Sequence, residues 1–175
     1  DSVERYTAMG VRVIRAPARF LDPRTLEAGG TRIRARRFVL ATGSRPAVPP
    51  IPGLAEVPYL ANETVFDLDT LPSHLVVVGG GPIGAELGQA FRRLGAAVTI
   101  LDAGARLPRE DPEAAAVVER ALLRDGVDLR TRVTIEQVAG GPEGVTVSIR
   151  RGDWVDTIHG SHLLVATGRR AVTED

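Results

Sequence analysis

The sequence predicts an α/β fold, a Rossmann-like parallel sheet with helices packed on it, because three patterns follow one another along the chain. A short apolar β-branched run, Leu75 to Val78, is the mark of a strand buried on both faces. A glycine turn and a helical pattern come directly after it, from Gly79 to Leu94. A second apolar run, Ala97 to Leu101, then ends on Asp102. Strand, glycine turn, helix and strand together make a βαβ unit. Later alternating segments add an antiparallel three-stranded β-meander.

The elements can be read in order. Residues 1–10 fit the end of a helix closing at Gly10, and Val11 to Ile14 a short strand. Three strand-like pieces follow near Ala18–Leu21, Thr25–Ala28 and Thr31–Ala35, punctuated by the turn pairs Asp22-Pro23 and Gly29-Gly30. Phe38 to Ala41 reads as another apolar strand, delivering the turn Thr42-Gly43. Pro46, Pro49, Pro50, Pro52 and Pro58 crowd one segment, of which Ala47 to Gly53 cannot be a helix or a central strand. It reads as an extended linker and as the best domain boundary. Asn62 to Leu68 is expected to form a short helix.

Past Asp102, Asp111 is a natural N-cap, Pro112 a first helical residue and Gly126 a stop, so a helix is expected to about Asp125. Val127 to Leu129 gives a third parallel strand. Val133–Ala139, Val145–Arg150 and Trp154–His159 form the meander, with Gly140–Gly144 and Arg151–Asp153 as its turns. Leu163 to Ala166 returns to the sheet and ends in Thr167-Gly168. The triplet Ala-Thr-Gly thus closes two apolar strands, at 41–43 and at 166–168.

Gly79, Gly81 and Gly84 form a G-x-G-x-x-G fingerprint, with Gly80, Pro82 and Ile83 between them. The first glycine permits a sharp turn, the second lets backbone approach a pyrophosphate, and the third lets helix lie close to strand. Pro82 suits a first helical turn, where its missing N–H is no loss. The free amides and the positive end of the helix dipole then face a diphosphate. Asp102, 23 residues after Gly79, has the spacing of the acid that holds a ribose 2′-hydroxyl. A carboxylate there favours NAD over NADP, since a charge-assisted bond worth ~1.5–3 kcal/mol to a hydroxyl becomes repulsion toward a 2′-phosphate. Arg106 and Arg109 either blunt that repulsion or belong to a solvated loop.

The 22 arginines match 22 acids, so net charge gives no sign of nucleic acid or membrane binding. No apolar run is long enough to span a bilayer and no secretory signal is visible, which fits a cytoplasmic setting. Without cysteine or lysine the chain offers no thiolate, disulfide, Schiff base or amine nucleophile. Residues 1–45 carry ten arginines against four acids, a balance of +6, and the remainder balances to −6. That basic stretch is either a solvated hairpin face or a surface facing another domain or an anionic cofactor. A metal site built on His159 and His162 lacks a third convergent ligand. His74 reads as a loop residue before a strand, and Trp154 as hairpin packing. No catalytic side chain is predicted.

The segments ATGSRPAVPPIPGL, VVVGGGPIGAELGQAFRRLGAAVTILD and LLVATGRR, in that order, resemble the middle of the FAD-dependent pyridine nucleotide–disulfide oxidoreductases. Dihydrolipoamide dehydrogenases and mercuric reductases are the most similar members. The resemblance implies that residues 1–45 are a remnant of an FAD-binding domain, 46–168 an NAD(P)-binding domain, and 169–175 the return to the FAD domain. It also implies that the Ala41-Thr42-Gly43 turn touches FAD, that Val133 lines an adenine pocket, that Gly168 borders the nicotinamide half, and that Glu86 stands near the nicotinamide. Hydride would pass from NAD(P)H to FAD and on to a disulfide or another acceptor. Departures from the family pattern are an absent glycine unit before Ala41, an absent redox dithiol, and Ala171 where proline is usual. They suggest an excised piece, inactive alone, whose partners are a dinucleotide and the remaining FAD and dimerisation domains. The alternative is a stand-alone dinucleotide sensor without redox activity.

Overall fold

A computed structural model describes residues 2–104, 107, 110–141 and 144–173. Arg106 and Arg109 lie outside the described residues. The chain divides into two compact units, one ending at Thr42 and one beginning at Gly43.

The first unit opens with α1 (Val3–Ala8), whose N-cap Ser2 accepts a hydrogen bond from the Arg5 amide. Three antiparallel strands follow in the order β1 (Ala18–Asp22), β2 (Thr25–Ala28) and β3 (Thr31–Arg34). The Asp22 carboxylate accepts from the Arg24 amide and shapes the first turn, which holds its pKa below the ordinary carboxylate value. Phe20 and Phe38 meet edge to face at 4.9 Å. Val11–Ile14 and Phe38–Ala41, expected as strands, are not strands. An apolar segment becomes a strand only where a neighbour completes its ladder and an apolar layer covers it. Val39 is instead 91% exposed and Leu40 73%. Among the described residues of this unit only Ala28 is buried.

The second unit is three-layered. Its central parallel sheet runs β11 (His162–Val165), β5 (His74–Val78), β6 (Ala97–Asp102), β7 (Asp128–Thr131). On one face lie α2 (Pro82–Leu94) and α3 (Pro112–Arg124). On the other lies the meander β8 (Thr134–Gly141), β9 (Gly144–Arg151), β10 (Trp154–Gly160). The period of two sorts the sheet's side chains. Leu75, Val77, Ile100 and Leu164 join Ala85 and Leu122 on the helical side. Val76, Val78, Leu101, Leu163 and Val165 join Val138, Val147, Ile149 and Ile158 on the meander side. This double coverage explains why the sequence reads as continuous apolar runs rather than alternation.

Both helices start and stop close to their expected positions. Asp111 caps α3 by accepting from the Glu113 and Ala114 amides. Gly95 and Gly126 follow their C-termini with positive φ. The proline-rich segment is irregular up to Ile51, turns at Gly53 into a 3-10 helix, Leu54–Glu56, and packs on the meander. Pro52 accepts from the Val138 amide, Leu54 and Val57 are buried in the core, and Leu60 bridges to Leu164. The helix expected over 62–68 is only a 3-10 turn, Val65–Asp67. A segment that buries one residue, Val65, is too short to sustain an α-helix unaided.

One side chain links the parallel sheet to the meander. The Arg130 guanidinium donates to Asp128 at 2.8 Å and to Asp156 at 2.6 Å, and lies 5.8 Å from the Trp154 ring centre. It ties the edge of the parallel sheet to the edge of the meander. A short ribbon pairs β4 (Ser44–Pro46) with β12 (Arg169–Ala171), a pairing with no counterpart in the sequence-based expectation. His74 opens β5 rather than preceding it.

Candidate dinucleotide site

The three fingerprint glycines differ in what surrounds them. Gly79 turns at φ +105, and a Cβ there would sit 2.5 Å from the Ala166 carbonyl oxygen. At Gly84 a Cβ would fall 1.9 Å from the Gly79 carbonyl oxygen. Both positions are closed by backbone, so only glycine lets β5, β11 and α2 come together. Gly81 is the opposite case: nothing lies within 4 Å of where its Cβ would be. The open position is at the mouth of α2, where no side chain caps the helix and Pro82 takes the first turn. Any diphosphate arriving there meets main chain and the positive end of a 13-residue helix.

Asp102 closes the floor of this mouth. One carboxylate oxygen accepts from the Gly80 amide at 2.6 Å and the other from the Gly104 amide at 2.7 Å. The Asp102 main-chain carbonyl accepts from Val133, and Gly104 from Arg132, so the end of β6 is tied to the start of β8. Carboxylate oxygens have about four lone-pair sites in all, so two amides leave room for further donors.

Two adjoining clefts share Gly79, Asp102 and Thr167. The first, of about 390 Å³, is lined by Gly79, Gly81, Pro82, Ile83, Asp102 and Gly168, together with Glu110 and Thr167. The second, of about 410 Å³, is lined by Asp102, Val133, Ile51, Thr134 and Thr167 among others. Thus Gly79, Gly81, Pro82, Ile83, Asp102 and Gly168 are brought together, with Val133 next door. Gly80 takes part through its bond to Asp102, and Gly84 through its contact with Gly79. Glu86 is exposed on α2 and lines neither cleft. Ala41, Thr42 and Gly43 are exposed and straddle the break between the two units, outside both clefts.

Sequence reasoning missed Thr167 and Glu110, which line the first cleft. Thr167 had a signal, the repeated Ala-Thr-Gly triplet that closes two apolar strands. Its hydroxyl donates to the Ala47 carbonyl at 2.6 Å. Glu110 carried no signal, being one acid beside the expected N-cap.

The histidines have local partners. The His74 ring lies 2.9 Å from the Thr99 hydroxyl, His162 3.1 Å from Ser161, and His159 3.3 Å from Thr146. Among the described residues no three potential ligands converge on a metal position. Nor is any described helix long and apolar enough to cross a membrane.

The profile of one protein family, pyridine nucleotide-disulphide oxidoreductase, matches residues 1–175. The mercuric reductase of Staphylococcus aureus is 38% identical over 175 residues, covering 99% of this chain and 31% of that enzyme. LpdA of Mycobacterium tuberculosis superposes with a TM-score of 0.80 at 31% identity, over 97% of this chain and 39% of that one. An HOCl-induced flavoprotein disulfide reductase of Escherichia coli, in its Cu(II) complex, gives a TM-score of 0.74 at 32% identity, over 93% and 37%. The chain spans about a third of the length of these relatives.

Proposed function

Because the chain belongs to the pyridine nucleotide-disulphide oxidoreductase family, we propose that it is the NAD(H)-binding portion of a flavin-dependent oxidoreductase. The observation that carries this reading is the contrast among the glycines: backbone closes Gly79 and Gly84 while Gly81 stands open at an uncapped helix mouth. Neither packing nor backbone conformation calls for glycine at the middle position, where φ is −68 and a side chain would meet open space, so close approach of a ligand to the main chain accounts for it.

The residues fit the group. The α2 mouth holds the diphosphate between Gly79 and Ile83. Asp102, already anchored by two amides, takes the adenosine ribose hydroxyls on its remaining lone pairs. Val133, buried and adjoining, backs the adenine. Gly168 borders the nicotinamide half, and the resemblance assigns Glu86 a place near the nicotinamide. NAD is the preferred form, since Asp102 and Glu110 both line the cleft and each opposes a 2′-phosphate. The nicotinamide, when bound, supplies the hydride chemistry; this chain supplies binding energy and orientation.

In the longer protein this reading assigns residues 1–45 to an FAD domain, 46–168 to the NAD(P) domain and 169–175 to the return. The Ala41-Thr42-Gly43 turn touches FAD, and electrons pass to a disulfide or another acceptor. FAD and dimerisation domains are the partners. Titration of the chain with NADH and NADPH, followed by nucleotide fluorescence, tests the reading. Saturable binding with NADH the tighter ligand is expected; equal, negligible binding of both overturns it.

A further inference from the structure

We infer that Arg169 is a positioning residue for the dinucleotide cleft, holding its Thr167–Gly168 wall in place by latching the strand that leaves the sheet to the strand that enters it. This rests on the NAD(H) reading above and adds a residue that the fingerprint does not contain.

The geometry is unusually complete for one exposed side chain. The Arg169 Nε donates to the Ser44 hydroxyl at 2.7 Å, and Nη2 donates to the Ser44 carbonyl at 2.5 Å. Nη1 donates to the Asn62 side-chain oxygen at 2.9 Å, and Nη2 also reaches a Glu63 carboxylate oxygen at 3.0 Å. One planar fork therefore joins three stretches of chain: β12, β4 and the 62–63 turn. Only a guanidinium offers donors in that fixed spread.

What the latch holds is the cleft wall. Immediately before Arg169, Thr167 and Gly168 line the cleft, and both are sewn to Ala47. The Ala47 amide donates to the Gly168 carbonyl at 2.9 Å, and the Thr167 hydroxyl donates to the Ala47 carbonyl at 2.6 Å. Immediately after it, β12 pairs residue by residue with β4, and the Val172 amide donates to the Gly43 carbonyl. Gly168 itself has φ +119 and nothing within 4 Å of a would-be Cβ, so no side-chain packing fixes it. Its position is set by its hydrogen bonds and by the residue that follows. The ribbon lies outside both core clusters, which draw no residue from 44–46 or 169–171. Loss of the latch therefore loosens the wall while leaving the core packed.

The test compares wild type with Arg169→Ala and Arg169→Lys in the full chain. The readouts are the NADH dissociation constant by nucleotide fluorescence and the thermal midpoint. Arg169→Ala is expected to weaken NADH binding about tenfold, the scale of one charge-assisted hydrogen bond, while the midpoint falls by no more than about 3 °C. Arg169→Lys is expected to recover little of the affinity, because one ammonium cannot meet acceptors on both Ser44 and the 62–63 turn. Combining Arg169→Ala with Glu63→Gln should add less than the two single effects, as expected for partners in one network. Unchanged NADH affinity in Arg169→Ala, or full recovery with lysine, overturns the assignment. A loss of affinity accompanied by a large fall in midpoint also overturns it, by showing a general structural role. If wild type itself binds no NADH, the NAD(H) reading fails, a result distinct from a variant that binds as well as wild type.

Discussion

Leu75–Val78 and Phe38–Ala41 are both short apolar runs, yet one is the centre of a sheet and the other belongs to no strand. In the unit beginning at Gly43, both faces of the parallel sheet meet another layer, helices on one side and the meander on the other. In the unit ending at Thr42, three strands pair with one another and bury little beyond Ala28. The difference lies in coverage, not in strand propensity. A strand is stable when neighbours satisfy its amides and remove its side chains from water, and neither condition can be read from the run itself.

The largest expected effect comes from closing the contact on which the covered unit depends. Gly84→Ala places a methyl group inside the distance of backbone at Gly79. Urea unfolding should show destabilisation of about 3 kcal/mol or more, with loss of NADH binding. A loss below about 0.5 kcal/mol would mean that strand and helix part without penalty, and the contrast between closed and open glycines would fail.

Asp102→Ala comes next. It removes the acceptor of two main-chain amides as well as the proposed ribose contact, so NADH affinity should fall about ten- to a hundredfold. NADPH should lose less, because repulsion of its phosphate disappears too. Fluorescence titration with both nucleotides reads the two effects separately. An unchanged preference removes the ribose role, and unchanged affinity for both removes the bracing role.

Acid sharpens the contrast more gently. In the covered unit, hydrogen bonds from Arg93 and then Gln89 hold Asp125 below the ordinary carboxylate pKa of 3.8, and Arg130 followed by the Thr157 amide do so for Asp156. Each folded-state pKa is depressed, so the stabilisation is fully present above the unfolded value and is lost as pH falls through the folded one. The thermal midpoint should therefore be level above about pH 5 and decline below about pH 4. Asp125→Asn and Asp156→Asn together should flatten that decline. An equally steep decline in the double variant would place the acid sensitivity elsewhere.

The smallest effect is expected in the uncovered unit. Val39→Ser, at a side chain already facing water, should leave the unfolding free energy within about 0.5 kcal/mol of wild type. A larger loss would show that Val39 is covered in solution.

These comparisons also explain what was legible in the sequence. The βαβ unit could be read almost to the residue because its signals are local. Gly81, Pro82 and Gly95 mark the ends of α2, and Asp111, Pro112 and Gly126 those of α3. The clustering of Gly79, Gly81 and Asp102 followed from their spacing in such a unit. The strands at 11–14 and 38–41 failed because their outcome depends on partners that a run of apolar residues does not specify. The β4–β12 ribbon was invisible because it joins segments more than 120 positions apart through backbone pairing that no composition encodes. Arg169 was passed over for the same reason, since its meaning comes from Ser44, Asn62 and Glu63 and not from its neighbours.

The two amides held by Asp102 carry a consequence for anyone retuning the proposed NAD(H) cleft toward a 2′-phosphorylated dinucleotide. On the proposed reading, that retuning would exchange Asp102 for a small or cationic residue. Here that exchange also pulls the pin from the loop that shapes the pocket. A successful redesign must graft in a substitute acceptor for Gly80 and Gly104 at the same time, making selectivity a problem of scaffolding as much as of charge.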